Sequence, residues 1–189
     1  GVYIEFLTKF VIKKNQWIID KNTRNYYIIR HKIKLQINAE DEYSLYIIGG
    51  QVMPVINELI RTEANGTISF GNYLLDNKTK ADEFEYNGDL YKVKTFKEIT
   101  KLERNGRFVY ESVPGTAVKN LDVKEQGMKF SVVGLGDSQI TVELEADTEY
   151  KIFINDTNVG KMKTNLGGKL VLSVELGGES QVEVKIVKL

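Results

Sequence analysis

From Met128 to Ile186 the chain alternates apolar and polar residues in short, evenly spaced runs. Met128, Phe130 and Val132 form one run, and Ile140, Val142 and Leu144 the next. Tyr150, Ile152 and Ile154 follow, then Leu170, Leu172, Val174 and Leu176, then Val182, Val184 and Ile186. A period of two puts every second side chain on one face of a strand. A helix would need a period near 3.6, so the pattern selects β structure. Between the runs stand Gly134-Leu-Gly136-Asp137, Asn155-Asp-Thr-Asn158, Asn165-Leu-Gly-Gly168 and Gly177-Gly-Glu-Ser180. These are turn residues, tolerant of positive φ or able to bond their own backbone. With Val159 to Thr164 as an edge strand, about seven strands are expected, the pattern of an Ig-like or fibronectin-type β-sandwich.

Within this region Leu144-Glu-Ala-Asp-Thr-Glu-Tyr150-Lys-Ile152 reads as a strand ending, a corner, and a tyrosine entering the next strand. A tyrosine so placed can bury its ring and bond the backbone just upstream through its hydroxyl, pinning the crossover. Tyr150 is therefore expected to be a structural corner.

The N-terminal part reads as a second, antiparallel β domain with at most one short helix. Residues 3–12 fit both strand and helix spacing, with β-branched and aromatic content favouring strand. Ile29, His31, Ile33, Leu35 and Ile37 alternate with Arg30, Lys32, Lys34 and Gln36, and Tyr43 to Ile48 forms another strand ended by Gly49-Gly50. Val55, Ile56, Leu59 and Ile60 make an i, i+1, i+4, i+5 face after Pro54, which predicts the helix. Residues 71–83 read as a loop. Asn87-Gly88 and Asn105-Gly106 sit between apolar runs and predict two hairpins, because a type I′ turn needs positive φ at both central positions. Val113-Pro114-Gly115-Thr116 then supplies a turn and the expected boundary between a 1–117 domain and a 118–189 sandwich.

Composition narrows the function classes. The chain has 189 residues, 42% of them hydrophobic, enough for a packed core. Basic and acidic side chains balance at 26 each, so no global field draws in a polyanion. There is no cysteine, which excludes disulfides, thiolate zinc sites and cysteine nucleophiles. No run reaches the roughly 18 apolar residues of a membrane span, and the first residues lack the basic region and apolar core of a secretory signal. A membrane partner is not expected.

Catalytic patterns are sparse. His31 is the only histidine, so it would have to serve any triad, yet it lies between Ile29 and Ile33 on an apolar strand face. The carboxylate pairs Asp41/Glu42, Asp82/Glu83 and Glu143/Glu145 could act as acid and base, but read better as solvated surface. Glu145, Asp147, Glu149 and Asp156 offer hard oxygens for calcium without the spacing of a known loop. Gly134-Leu-Gly136 and Gly167-Gly-Lys169 lack the remaining residues of nucleotide-binding motifs. No catalytic, cofactor or metal residue is expected. The N-terminal stretch is basic and interleaved with Trp17, Tyr26 and Tyr27. With Arg30, Lys32 and Lys34 it forms a candidate interaction surface. Such a mixture can track nucleic acid, but the neutral chain favours a solvated sheet face or a surface meeting an acidic partner. The same aromatics, with Tyr43, Tyr46 and Tyr73, could instead stack on sugars.

Two stretches carry a family resemblance. Tyr91-Lys-Val-Lys-Thr-Phe-Lys-Glu-Ile-Thr-Lys-Leu-Glu-Arg-Asn-Gly-Arg-Phe-Val-Tyr-Glu-Ser-Val-Pro-Gly-Thr-Ala-Val118 and Tyr150-Lys-Ile-Phe-Ile-Asn-Asp-Thr-Asn-Val-Gly-Lys161 resemble proteins of phage and prophage structural modules of Gram-positive bacteria. The resemblance implies an all-β attachment part followed by a projecting Ig-like domain, and carries over no site residue. It implies a non-enzymatic tail, baseplate, fibre or head-decoration component. Such a component docks on other virion proteins or on itself as a homo-oligomer, assembles in the bacterial cytoplasm and resides in the virion. The alternative expectation is a carbohydrate-binding or adhesion module of a secreted bacterial enzyme, extracellular and bound to cell-surface glycan.

Overall fold

A computed structural model describes the backbone of Trp17–Asp20, Asn25–Ile28, Ile33–Gln36 and Leu45–Ile48, and of residues 51–177 and 181–189, with side chains from Val55 onward. The first three of these segments are strands β1, β2 and β3, which form an antiparallel sheet in that order. They belong to the unit Gly1–Tyr43; the second compact unit is Ser44–Leu189. This second unit opens with a hairpin of β4 (Leu45–Ile48) and β5 (Gln51–Pro54).

Thirteen further strands build two antiparallel sheets. They are β6 (Ile60–Thr62), β7 (Ile68–Phe70), β8 (Thr79–Tyr86), β9 (Asp89–Phe96), β10 (Ile99–Arg104), β11 (Arg107–Val113) and β12 (Ala117–Lys124). The remainder are β13 (Gly127–Val133), β14 (Ser138–Glu143), β15 (Glu149–Ile154), β16 (Thr157–Lys163), β17 (Lys169–Val174) and β18 (Val182–Lys188). One sheet has six strands in the order β17-β14-β11-β10-β9-β8, the other seven in the order β16-β15-β18-β13-β12-β7-β6. The protein is all-β, and no helix occurs among the described residues.

Alternation in sequence becomes alternation in burial. Ile140 and Val142 of β14, Leu170, Leu172 and Val174 of β17, and Val184 and Ile186 of β18 all enter one core drawn from both sheets. At its centre the Tyr110 ring from the six-stranded sheet stands edge-on to Phe70 and Phe130 of the seven-stranded sheet, with centroids 5.3 and 5.6 Å away. Each such contact adds about 1 kcal/mol beyond the area it buries. Two-residue turns close the β8–β9 and β10–β11 hairpins. Asn87 (φ 51°), Gly88 (81°), Asn105 (52°) and Gly106 (73°) all have the positive φ that type I′ turns need.

The structure corrects three sequence expectations. The short helix is absent: in 55–59 the amide of Ile56 bonds Gly71 O at 3.0 Å, and Leu59 turns back with φ 69°. The apolar face that suggested a helix is buried all the same, because the turn points Val55, Ile56, Leu59 and Ile60 inward. The expected loop over residues 71–83 ends early, since β8 begins at Thr79.

The third correction concerns the boundary after residue 117. Residues 113–116 cross between the sheets of a single sandwich. Val118 pairs with Phe70 on one side and Val132 on the other, and the six-stranded sheet joins β8–β11 to β14 and β17. The crossover is packed too closely to be a linker: a Cβ on Gly115 would stand 2.0 Å from Phe96 O. A buried hydroxyl chain secures it. Thr100 Oγ1 donates to Thr116 O at 2.7 Å and accepts the Thr116 amide at 3.1 Å. Because the single Thr100 proton is committed there, Thr95 Oγ1 is the donor in its 2.8 Å contact with Thr100, and itself accepts the Asn72 amide at 2.8 Å. Thr116 Oγ1 in turn meets Tyr110 OH at 2.9 Å and Ser112 Oγ at 2.8 Å.

Candidate interaction surface

The two long sides of the sandwich differ. On one side β6 and β8 approach, and Tyr86 OH donates to Gly66 O at 3.2 Å across the gap. On the other side β16 and β17, the terminal strands of their sheets, flank an open apolar slot of about 270 Å³. Ile152, Ile154, Val159, Met162, Val171, Leu172 and Ser173 line it. Val159 is 58% exposed, Met162 37% and Val171 42%. All of β16 is exposed.

The four sheet edges are guarded unequally. A terminal strand leaves backbone N–H and C=O groups unpaired, and bulges, charges or shortness normally deter a foreign strand. β8 carries a bulge between Ala81 and Phe84, with Glu83 at φ 59°, and the charges of Asp82, Glu83 and Glu85. β16 carries a bulge opposite Ile152/Phe153 and the charges of Lys161 and Lys163. β6 is three residues long and holds Arg61, which is bonded to Glu63 at 2.9 Å. β17 pairs with β14 in unbroken register and has no charge from Leu170 to Val174. Its Lys169 sits at the entry, bonded to Glu143 and 3.5 Å above the Phe108 ring.

Tyr150 is the second residue of β15. It is 1% exposed, and its hydroxyl accepts the Glu145 amide at 3.2 Å. Thr164 reinforces the same corner: its hydroxyl donates to Glu145 O at 2.6 Å and accepts the Thr148 amide at 3.0 Å.

Of the N-terminal candidates, Arg30 and Lys32 lie outside the described residues, as does His31. The others fall on β1–β3, where only backbone is described. Tyr27 is the register partner of Ile18 and Lys34, whereas Trp17 pairs with Ile28, and Tyr26 with Ile19 and Leu35. By alternation, Trp17 and Tyr26 therefore belong to one face of the ladder and Tyr27 and Lys34 to the other. The sugar-stacking set loses Tyr73, which is 1% exposed and cannot meet a ligand. Its burial pushes the phenol pKa up to about 12.

Four of the carboxylates considered as acid–base pairs or calcium ligands, Asp82, Glu143, Glu145 and Asp147, are engaged by lysines, and Asp41 and Glu42 lie outside the described residues. Asp82 bonds Lys92 at 2.7 Å and Lys80 at 3.0 Å, which hold its carboxyl below the usual range. Glu143 bonds Lys169, Glu145 bonds Lys188, and Asp147 bonds Lys163 at 2.7 Å. Among the described residues no three His, Cys, Asp or Glu side chains gather to hold a metal ion. No helix among the described residues is long and apolar enough to cross a membrane.

Sequence reasoning placed the edge strand at 159–164, close to β16, but missed β17 as the other edge. The available signal was the uncharged run Leu170-Val-Leu-Ser-Val174. Which strand ends a sheet depends on long-range pairing, and no local pattern reports it. Compared with protein-family models, curated proteins and solved structures, the chain finds no match.

Proposed function

We propose that this chain is a non-enzymatic structural protein that works by docking on other proteins, as a component of a phage or prophage particle. The docking part of this reading rests on one observation, the open side of the sandwich with Val159, Met162 and Val171 exposed around its slot. Exposed apolar side chains grouped beside a free strand edge are what a protein partner covers, through main-chain bonds for affinity and side-chain pockets for specificity. The particle part rests on the resemblance of residues 91–118 and 150–161 to phage structural proteins.

Mass spectrometry of particles purified from the lysogen that encodes the chain tests the reading. The chain should be present in fixed ratio to the major structural proteins. Absence from intact particles, or a gene set beside a glycoside hydrolase or lyase and lacking capsid and tail proteins, would overturn it.

A further inference from the structure

We infer that Asn87 is a site of spontaneous covalent modification, where the side-chain amide converts to aspartate and isoaspartate through a succinimide, while the fold holds the chain's two other Asn-Gly pairs inert. This chemistry is independent of the docking reading.

Asn-Gly is the dipeptide most prone to the reaction, because glycine puts no side chain beside its own amide nitrogen. The chain contains three such pairs, Asn65-Gly66, Asn87-Gly88 and Asn105-Gly106. The last two close hairpins with the same turn, their asparagines at φ 51° and 52°. Neither the dipeptide nor the backbone separates them. Hydrogen bonding does.

At Asn105 the side-chain amide is clamped at both ends. Its Oδ1 accepts the Leu90 amide at 2.8 Å, and its Nδ2 donates to Asp89 Oδ1 at 2.6 Å. The clamp ties the amide to the start of β9. The Asp89 carboxylate also opposes the proton that Nδ2 must gain before leaving as ammonia. At Asn65, Nδ2 donates to Asn120 Oδ1 at 3.3 Å, and Oδ1 accepts the Thr67 amide and hydroxyl at 3.1 and 2.6 Å. There the attacking group is occupied as well, since Gly66 N donates to Glu63 O at 2.9 Å. Asn87 is exposed, and neither its side chain nor Gly88 N has a hydrogen-bond partner among the described residues.

The chemistry needs only water. Gly88 N gives its proton to solvent base and attacks Asn87 Cγ. The new C–N bond closes a cyclic imide, and Nδ2 takes a proton from water and departs as ammonia. Water then adds to either imide carbonyl, and the C–N bond at that carbonyl breaks. Opening at the side-chain carbonyl gives aspartate; opening at the main-chain carbonyl gives isoaspartate, which continues the chain through Cγ. Isoaspartate thus adds an atom to the main chain inside a two-residue turn, next to the register pair Tyr86 and Asp89. Tyr86 also supplies the hydroxyl bond to Gly66 O that links β8 to the β6 side.

Ageing the full chain at neutral pH tests this, with samples digested in acid and their peptides resolved by mass spectrometry. Peptides bearing residue 87 should show the mass change of an NH2-to-OH exchange and divide into aspartyl and isoaspartyl forms. Those bearing residues 65 and 105 should convert at least about tenfold more slowly, because their hydrogen bonds must break first. In guanidinium chloride the three rates should converge. A native chain that reacts at all three sites alike, at Asn105 first, or at none overturns the inference. So does a preference for Asn87 that persists undiminished in the unfolded chain, since the fold would then not be its cause. The isoaspartyl chain, separated by chromatography, should unfold at lower denaturant than Asn87→Asp protein, which carries the charge without the added atom. Equal unfolding of the two would overturn the effect on the turn.

Discussion

The hydroxyl of Tyr150 accepts the backbone amide of Glu145 at 3.2 Å, so the ring that fills the core also ties down the corner five residues upstream. Tyr73 is buried to the same 1% exposure, yet its hydroxyl has no hydrogen-bond partner among the described residues. The two tyrosines differ in what the oxygen does.

Removing these hydroxyls should therefore have opposite effects. Tyr150→Phe is expected to cost about 1 kcal/mol, the net value of a buried hydrogen bond together with the amide it strands. Tyr110→Phe, which loses the bond to Thr116, should cost about the same or slightly more. Tyr73→Phe relieves an unsatisfied group and should raise stability by up to about 1 kcal/mol. Urea denaturation of the three variants against the native chain reads the ordering, and a destabilised Tyr73→Phe would contradict it.

Thr100 is a sharper test of the crossover. Its hydroxyl serves Thr95 and both the amide and carbonyl of Thr116. Thr100→Val keeps the shape and strands all three groups, so a loss of roughly 3 kcal/mol is expected. Thr100→Ser keeps the hydroxyl and removes one methyl, for a loss of about 1 kcal/mol. Equal losses in thermal unfolding would show that packing, not the hydroxyl, secures residues 113–116.

Two glycine substitutions separate space from backbone conformation. A Cβ at Gly115 meets Phe96 O at 2.0 Å, a backbone atom that cannot step aside, and Gly115→Ala should cost at least about 3 kcal/mol. A Cβ at Gly88 meets nothing within 4 Å, and only its φ of 81° resists a side chain. Gly88→Ala should cost about 1 kcal/mol. Denaturation midpoints of the pair provide the comparison.

Alkaline pH should unfold the protein through its buried phenols. Burial raises the Tyr73 pKa to about 12 and raises that of Tyr110 further, against the bonds from Thr116 and Ser112 that lower it. In the unfolded chain both groups ionise near the ordinary value of about 10. The stability tied to their neutral forms is thus complete below about pH 10 and is lost as pH climbs toward the folded values. Tyrosinate absorbance and far-ultraviolet circular dichroism should share one cooperative step for these two groups. Tyr73→Phe should make the loss of stability with pH shallower.

Local signals in the sequence carried the strands and turns well. Asn87-Gly88 and Asn105-Gly106 specify their hairpins because the turn chemistry is contained in two residues. The alternation from Met128 onward specifies faces because burial repeats with the pleat. Long-range matters were less legible. Val113-Pro114-Gly115-Thr116 has the composition of a linker, and only the contacts of Gly115 and Thr116 with residues 96 and 100 reveal a crossover. The face made by Val55, Ile56, Leu59 and Ile60 is apolar because it is buried, and burial alone cannot separate a helix from a tight turn. The free edge of β17 was invisible for the same reason, since an edge is defined by the neighbour a strand lacks.

The order of the seven-stranded sheet sets a schedule for synthesis. Among the described residues β15 pairs only with β16 and β18, and β13 is joined to that hairpin solely through β18. A ribosome that has not yet released residues 182–188 therefore holds two ribbons with a missing middle strand. Each ribbon shows a bare edge where β18 belongs. Until residues 182–188 emerge, nascent chains on one message would be open to swapping that strand with a neighbour.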